Sequence, residues 1–267
     1  MNDLISYQKA AESFAEAAGV ILKKYWGNLS SIRSKTYFWD LVTEADTEAE
    51  HTILKLIKEK YPTHLTLSEE EGLKEIHNAE FLWIIDPIDG TTNYTHQYPM
   101  VAVSIGLLIN DIPSVGVVFN PFTNEMFSAS LKNGATLNNQ LLHVSNVDSL
   151  ERSLLGTGFA YNRRHTVENN YAEFCHLTNL CQGVRRSGSA ALDLAYVACG
   201  RLDGFWERGL QPWDMAAGIL LISEAGGLIT NYPQGPFDLY SGKILATNGV
   251  LHSTLTEALK GALPPSP

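Results

Sequence analysis

At 267 residues, with 45% apolar and 18% charged side chains, the chain can form one large domain or two smaller ones and is too apolar for a disordered polyelectrolyte. A formal charge of −10 argues against the Lys- and Arg-driven grip on phosphates that non-specific nucleic-acid binding needs, although bound metal ions can reverse the local field for a small phosphate ester. Cys175, Cys181 and Cys199 lack C-x-x-C spacing, no apolar run reaches membrane-spanning length, and Met1-Asn2-Asp3-Leu4 lacks the order of a signal peptide, so free thiols and a cytoplasmic location are expected.

Leu4, Tyr7, Ala11, Phe14, Ala18, Ile21 and Tyr25 recur every three or four residues and predict an amphipathic helix over 3–26, ended by Gly27. A loop with Lys35 and an aromatic cluster, Tyr37-Phe38-Trp39, follows. Thr43 and Asp46 resemble a capping box with Asp in place of the usual Glu or Gln. They open a second helix that runs to Lys60 and stops at Tyr61-Pro62. Leu65-Thr66-Leu67-Ser68 alternates as a short strand and delivers Glu69-Glu70-Glu71, either a solvated triplet or acids placed at a sheet edge.

Residues 81–85 form a continuous apolar run, as in a strand buried on both faces, and lead into Asp86-Pro87-Ile88-Asp89-Gly90-Thr91-Thr92-Asn93. Pro87 has no N–H for the ladder, so pairing is expected to stop near Asp86. Two carboxylates three positions apart at the end of a buried strand are costly unless a cation neutralises them, and oxygen-only ligands favour a hard ion such as magnesium. The plain alternative is an acidic turn with Asp89 capping a helix. Strands over 101–109 and 114–119 join around Asn110-Asp111, and strands over 126–130 and 135–137 flank Asn133-Gly134. This meander predicts a mostly antiparallel sheet with helices on one side.

Near residue 147 strands and helices begin to alternate. A strand over 154–158, a helix over 168–180 and a short strand at Val184 precede a helix capped by Ser189 and ended by Gly200. A strand over 203–207 presents Glu207, and a further helix starts at Trp213-Asp214, where Asp214 has its own plain reading as a helix cap. The chain thus divides into an N-terminal α+β half, 1–146, and a C-terminal α/β half, 147–267. The end, Pro264-Pro265-Ser266-Pro267, is expected to fray.

Glu69-Glu70, Asp86 to Asn93, and Trp213-Asp214-Met215-Ala216-Ala217-Gly218 closely resemble, in order, the motifs of the inositol monophosphatase family, within the lithium-sensitive, magnesium-dependent phosphomonoesterases. Asp40 to Asp46, Arg185 to Leu194 and Glu207 extend the similarity over nearly the whole chain. The resemblance implies a layered αβαβα sandwich of the sugar-phosphatase type, a homodimer, and a site between the halves holding two or three magnesium ions. It implies that the side chains of Glu69, Asp86, Asp89 and Asp214 and the carbonyl of Ile88 ligate metal, and that Glu69, Asp86 and Thr91 are catalytic. Gly90 and Thr91 would offer N–H groups to the phosphate. Gly188, Ser189 and Ala190 would contact the organic part, and Glu207 its hydroxyls. Glu69, Ile88, Asp89 and Asp214 would border the substrate through the metals.

The implied reaction is hydrolysis of a small phosphate monoester, inositol monophosphate first, by a metal-activated water. A phosphate dianion repels both a nucleophile and an acidic site, so at least two cations must intervene. Thr92-Asn93-Tyr94 favours this branch over the nucleotide bisphosphatases, where Lys more often holds the second position. Histidinol phosphate, fructose 1,6-bisphosphate and adenosine 3′,5′-bisphosphate stay open as substrates. A non-catalytic regulatory subunit also stays open, although retention of every ligand and of Thr91 argues against it. Three features depart from the family pattern or stand apart from it. Ser68 replaces a common glycine, Tyr37-Phe38-Trp39 enlarges a loop expected to narrow or lid the pocket, and Lys35 is expected to be solvated, the alternative being that it reaches the metal-bound phosphate region.

Overall fold

The computed structural model describes residues 4–72, 79–232 and 235–262; the tail from Pro264 to Pro267 lies outside them. Helix α1 (Leu4–Tyr25) forms where the apolar period places it. The hairpin of β1 (Ile32–Ser34) and β2 (Leu41–Thr43), too short for any period to reveal, carries the aromatic loop at its tip. Helix α2 (Glu44–Lys60) opens with the expected capping box, the Thr43 N–H donating to Asp46 Oδ2 at 2.8 Å.

Strand β3 (Leu65–Ser68) runs parallel to β4 (Phe81–Asp89) with Ser68 opposite Ile85, so their acid-bearing ends are neighbours. After the short helix α3 (Thr91–Thr95), β5 (Ala102–Ile109) returns antiparallel to β4. Pairing does not stop at Asp86 as expected. It breaks after Asp86–Ser104 and resumes at Asp89–Ala102, and Pro87 occupies the irregularity, where a missing N–H costs no ladder bond. Strands β6 (Ile112–Asn120), β7 (Glu125–Ser130), β8 (Ala135–Leu137) and β9 (Gln140–Leu141) complete a seven-stranded sheet in sequence order, antiparallel from β4 onward.

The second sheet takes β10 (Leu154–Thr157), then, after α4 (Tyr171–Thr178), β11 (Gly183–Arg185). Next come α5 (Ala190–Ala198), β12 (Gly204–Arg208), α6 (Pro212–Glu224), β13 (Leu228–Thr230), β14 (Lys243–Thr247) and α7 (His252–Lys260). Its order is β11-β10-β12-β14-β13, with β14 antiparallel to both of its neighbours. Helix α4 is shorter than the span 168–180. Asn170 stands at a left-handed φ of 70° with its side chain tied to Thr157, Gly158 and Trp206.

The helices lie on both faces of the first sheet, not on one. Along β4 the apolar residues alternate between two cores: Trp83 and Ile85 pack with α1 and α2, while Leu82 and Ile84 pack with α5 and α6. Helices α5 and α6 are shared with the second sheet, whose far side packs against α4 and α7 through Leu155, Leu177, Trp206, Leu245 and Leu255. The layering is αβαβα. Close seating of α6 explains its small residues. A Cβ on Gly106 would lie 2.8 Å from Ala216 Cβ, and one on Gly116 2.5 Å from Ala217 O.

Candidate metal and phosphate site

The ends of β3 and β4 and the first turn of α6 converge. One carboxylate oxygen from each of Asp86, Asp89 and Asp214 lies within 4.8 Å of the others. Asp86 and Asp89 are buried and Asp214 is half-buried. Burial, then the charges of Glu69, Asp89 and Asp214, hold the Asp86 carboxyl well above the usual range. Asp214 is raised by burial and by Asp89. Asp89 is raised by burial although it accepts hydrogen bonds from Ser189 Oγ at 2.7 Å and Ala191 N at 2.6 Å. Hard oxygen donors of one sign, pressed together where water is scarce, are a fit for a divalent cation such as magnesium.

The plain reading of Asp214 as a helix cap is seen in the Gln211 N–H, which donates to Asp214 Oδ2 at 2.7 Å and closes the cap of α6, while the same carboxyl stands in the acidic cluster. Asp89 does not cap the helix that follows it. Gly90 is the N-cap of α3 at φ 101°, and a Cβ there would stand 2.9 Å from Met100 O. Asp89 instead reaches across to the start of α5, where Ser189 Oγ also accepts from Leu192 N at 3.3 Å.

Glu69 leaves β3 beside β4, its N–H donating to Ile85 O at 3.2 Å. Lys35 is exposed as a residue, but its ammonium is paired with acids. Its Nζ lies 2.9 Å from Glu69 and 2.5 Å from Glu70. The turn that bears these acids is held by Glu50, which sequence reasoning missed. It is 3% exposed, and its two oxygens accept the N–H groups of Glu70 and Glu71 at 2.9 Å each. Glu50→Ala strands two amide donors, so its stability falls by about 2 kcal/mol, read as a lower Tm together with a weaker response to magnesium.

Thr91 Oγ1 stands 3.1 Å from both Ile88 O and Asp46 Oδ1, while the Ile88 N–H donates to Asp86 Oδ1 at 2.9 Å. The sequence marks Asp46 as a capping residue within the segment Asp40 to Asp46; in the structure one oxygen serves the cap and the other faces Thr91. Burial raises its carboxyl to about 7.

A cavity of about 260 Å³ brings together Asp89, Gly90, Thr91, Gly188, Ser189, Ala190, Glu207 and Asp214, while Glu69, Asp86 and Ile88 lie outside its lining. Asn93 Nδ2 binds the two sides, donating to Met100 O at 2.7 Å and Ser187 O at 2.9 Å. The cavity also reaches Gly158, Tyr161 and Arg163, none of them foreseen, Arg186 and Asp193 of the segment Arg185 to Leu194, and Trp39 of the aromatic loop. Glu207 is raised by burial, with the Arg186 guanidinium opposing. Its carboxyl rests so closely on Gly158 that any Cβ there would overlap it.

The sequence pattern of the inositol monophosphatase family matches residues 3–263. An inositol-1-monophosphatase from Synechocystis sp. is 55% identical over 259 residues, covering 97% of this chain and 90% of that protein. A Nus factor SuhB from Pseudomonas aeruginosa is 45% identical over 85% of each chain. The solved structure of an inositol monophosphatase from Anabaena (Nostoc) sp. superposes with a TM-score of 0.91 at 50% identity, covering 98% of both chains.

Proposed function

Because the chain belongs to the inositol monophosphatase family and is a metal-dependent phosphatase, we propose that it hydrolyses inositol monophosphate with two or three magnesium ions held by Glu69, Asp86, Asp89, Asp214 and the Ile88 carbonyl. The observation that carries this reading is the meeting of three carboxylates from two distant motifs, with oxygens within 4.8 Å of one another. The cavity of about 260 Å³ beside these acids has room for a small phosphate ester.

When bound, the cations supply Lewis-acid activation of water and neutralise charge on the departing oxygen. The protein's own groups do the positioning. Thr91 donates its hydroxyl hydrogen bond to Asp46 or to the Ile88 carbonyl, so its lone pairs face the attacking water and orient it together with Glu69. The N–H groups of Gly90 and Thr91 receive the phosphate. Ser189 and Ala190, next to Gly188, border the polyol, and Glu207 binds its hydroxyls. The same reading makes the enzyme a homodimer with its site between the halves 1–146 and 147–267. Three free cysteines support a cytoplasmic location, and no described helix is long and apolar enough to cross a membrane. The charge of −10 supports a small-molecule partner over direct contact with nucleic acid.

Phosphate release from inositol 1-phosphate, histidinol phosphate, fructose 1,6-bisphosphate and adenosine 3′,5′-bisphosphate tests the reading. The expected result is release from inositol 1-phosphate that requires magnesium and ends with chelator, with the adenosine compound poorest. Turnover indifferent to chelator overturns it.

A further inference from the structure

The aromatic loop is not an isolated lid. Trp39 Nε1 donates to Tyr161 O at 3.0 Å, the Arg164 guanidinium lies 4.1 Å from the centre of the Trp39 ring, and Tyr37 stacks on His165 at 5.9 Å. A hydrogen bond, a cation–π contact and a ring stack therefore fasten the tip of the β1–β2 hairpin to the segment 161–165. Phe38 stays 71% exposed at the outside of this clasp. The backbone bonds from Lys35 N to Asp40 O at 2.7 Å and from Asp40 N to Tyr37 O at 2.9 Å keep the tip compact.

Within the clasp the two adjacent arginines are used differently. Arg164 is exposed and covers Trp39 from outside, whereas Arg163 is half-buried and lines the cavity. Arg163 Nη1 donates to Ala160 O at 3.2 Å and its guanidinium lies 5.5 Å from the Trp39 ring, so the group is held at the wall and not left to swing in solvent. Arg186, the other guanidinium on the cavity, faces the carboxyls of Glu207 and Asp193. Among the described residues neither guanidinium is ion-paired with a carboxylate, but Arg186 lies in the field of two buried carboxyls whereas no such acid responds to Arg163. A cation fixed at the wall of a binding cavity without an acid to answer it attracts an anion supplied by the ligand.

Resting on the phosphatase reading above, the geometry points to Arg163 as a specificity-determining residue that binds a second anionic group on the polyol, so that the enzyme takes polyol bisphosphates as well as monophosphates. One phosphate occupies the acid-lined end of the cavity and is hydrolysed. The other meets the Arg163 guanidinium, which accepts a bidentate anion through its planar fork. The clasp keeps that fork in place, and Trp39 limits how far a bound ligand can shift toward solvent.

The test compares kcat/KM for inositol 1,4-bisphosphate and inositol 1-phosphate in the purified, magnesium-saturated wild type and in Arg163→Lys, Arg163→Gln and Arg163→Glu, with Tm confirming that each variant folds. Loss of one charge-assisted contact lowers the bisphosphate-to-monophosphate ratio about tenfold in Arg163→Gln. Arg163→Lys restores most of the ratio, and Arg163→Glu falls below Arg163→Gln. A ratio that is the same in all four proteins overturns the proposal. If the wild type releases no phosphate from inositol 1-phosphate with magnesium, the phosphatase reading itself has failed. If it does and the ratio ignores the charge at 163, only the anion-binding role is lost.

Discussion

Asp86→Asn lowers phosphate release by about 10³-fold and raises the Tm of the metal-free protein. The substitution keeps the shape and an oxygen that can still accept the Ile88 N–H, so circular dichroism stays that of the wild type. What it removes is a negative charge that burial and three neighbouring acids already penalise. The sign follows from linkage. An unfolded Asp titrates near 4, while the folded Asp86 does so well above that value, so the native state holds the proton more tightly. Its contribution to stability is present at pH below the unfolded value and is lost as pH rises through the folded one. Asn does not titrate, so the variant's advantage in Tm widens from pH 5 to pH 8 without metal. Magnesium reverses the order. At about 100 times its Kd it stabilises the wild type by about 2.7 kcal/mol, and the variant gains little. A variant that turns over normally, or whose Tm responds to magnesium as the wild type does, removes Asp86 from the ligand set.

Gly158→Ala lowers kcat/KM for inositol 1-phosphate by roughly 10²-fold, the penalty of moving a positioned group by about an ångström. The added methyl would overlap both oxygens and the carbon of the Glu207 carboxyl. Glu207 is the end of a flexible side chain, so it yields and the backbone does not. The cost in stability is therefore about 1 kcal/mol, at the low end for overpacking. If Glu207 binds the polyol hydroxyls as proposed, phenyl phosphate, which has none, should lose far less. Equal losses on both substrates would mean that the methyl distorts the whole cavity and that Gly158 does not act through Glu207.

Elements with a strong period were readable from the sequence. Helices α1 and α2 follow their apolar stripes, and the run from Phe81 to Ile85 announced a strand covered on both faces. The acids of the β4 turn stood out because charge at the end of so apolar a run demands an explanation. That Asp214 meets Asp86 and Asp89 was not local information. It depends on α6 lying against Gly106 and Gly116, and only the family resemblance anticipated it. Strands β13 and β14 and helix α7 were not foreseen because strands of three and five residues and a helix of nine are too short to display a clear period. Glu50 and Arg163 escaped for a different reason. Glu50 serves backbone donors about twenty residues away, and Arg163 gains its setting from a tryptophan far back in the chain. Periodicity reports which face of an element is apolar, and it is silent on which polar side chain crosses between elements.

Asp46 closes the first turn of α2 with one oxygen and steadies Thr91 with the other. If Thr91 orients the water as proposed, order at this helix tip is a condition of turnover. Helix ends open at lower free energy than sheet interiors, so on warming the enzyme should fall silent while both sheets still stand. Heat inactivation and melting would then be two events on the temperature scale, with the first set by a single turn of backbone.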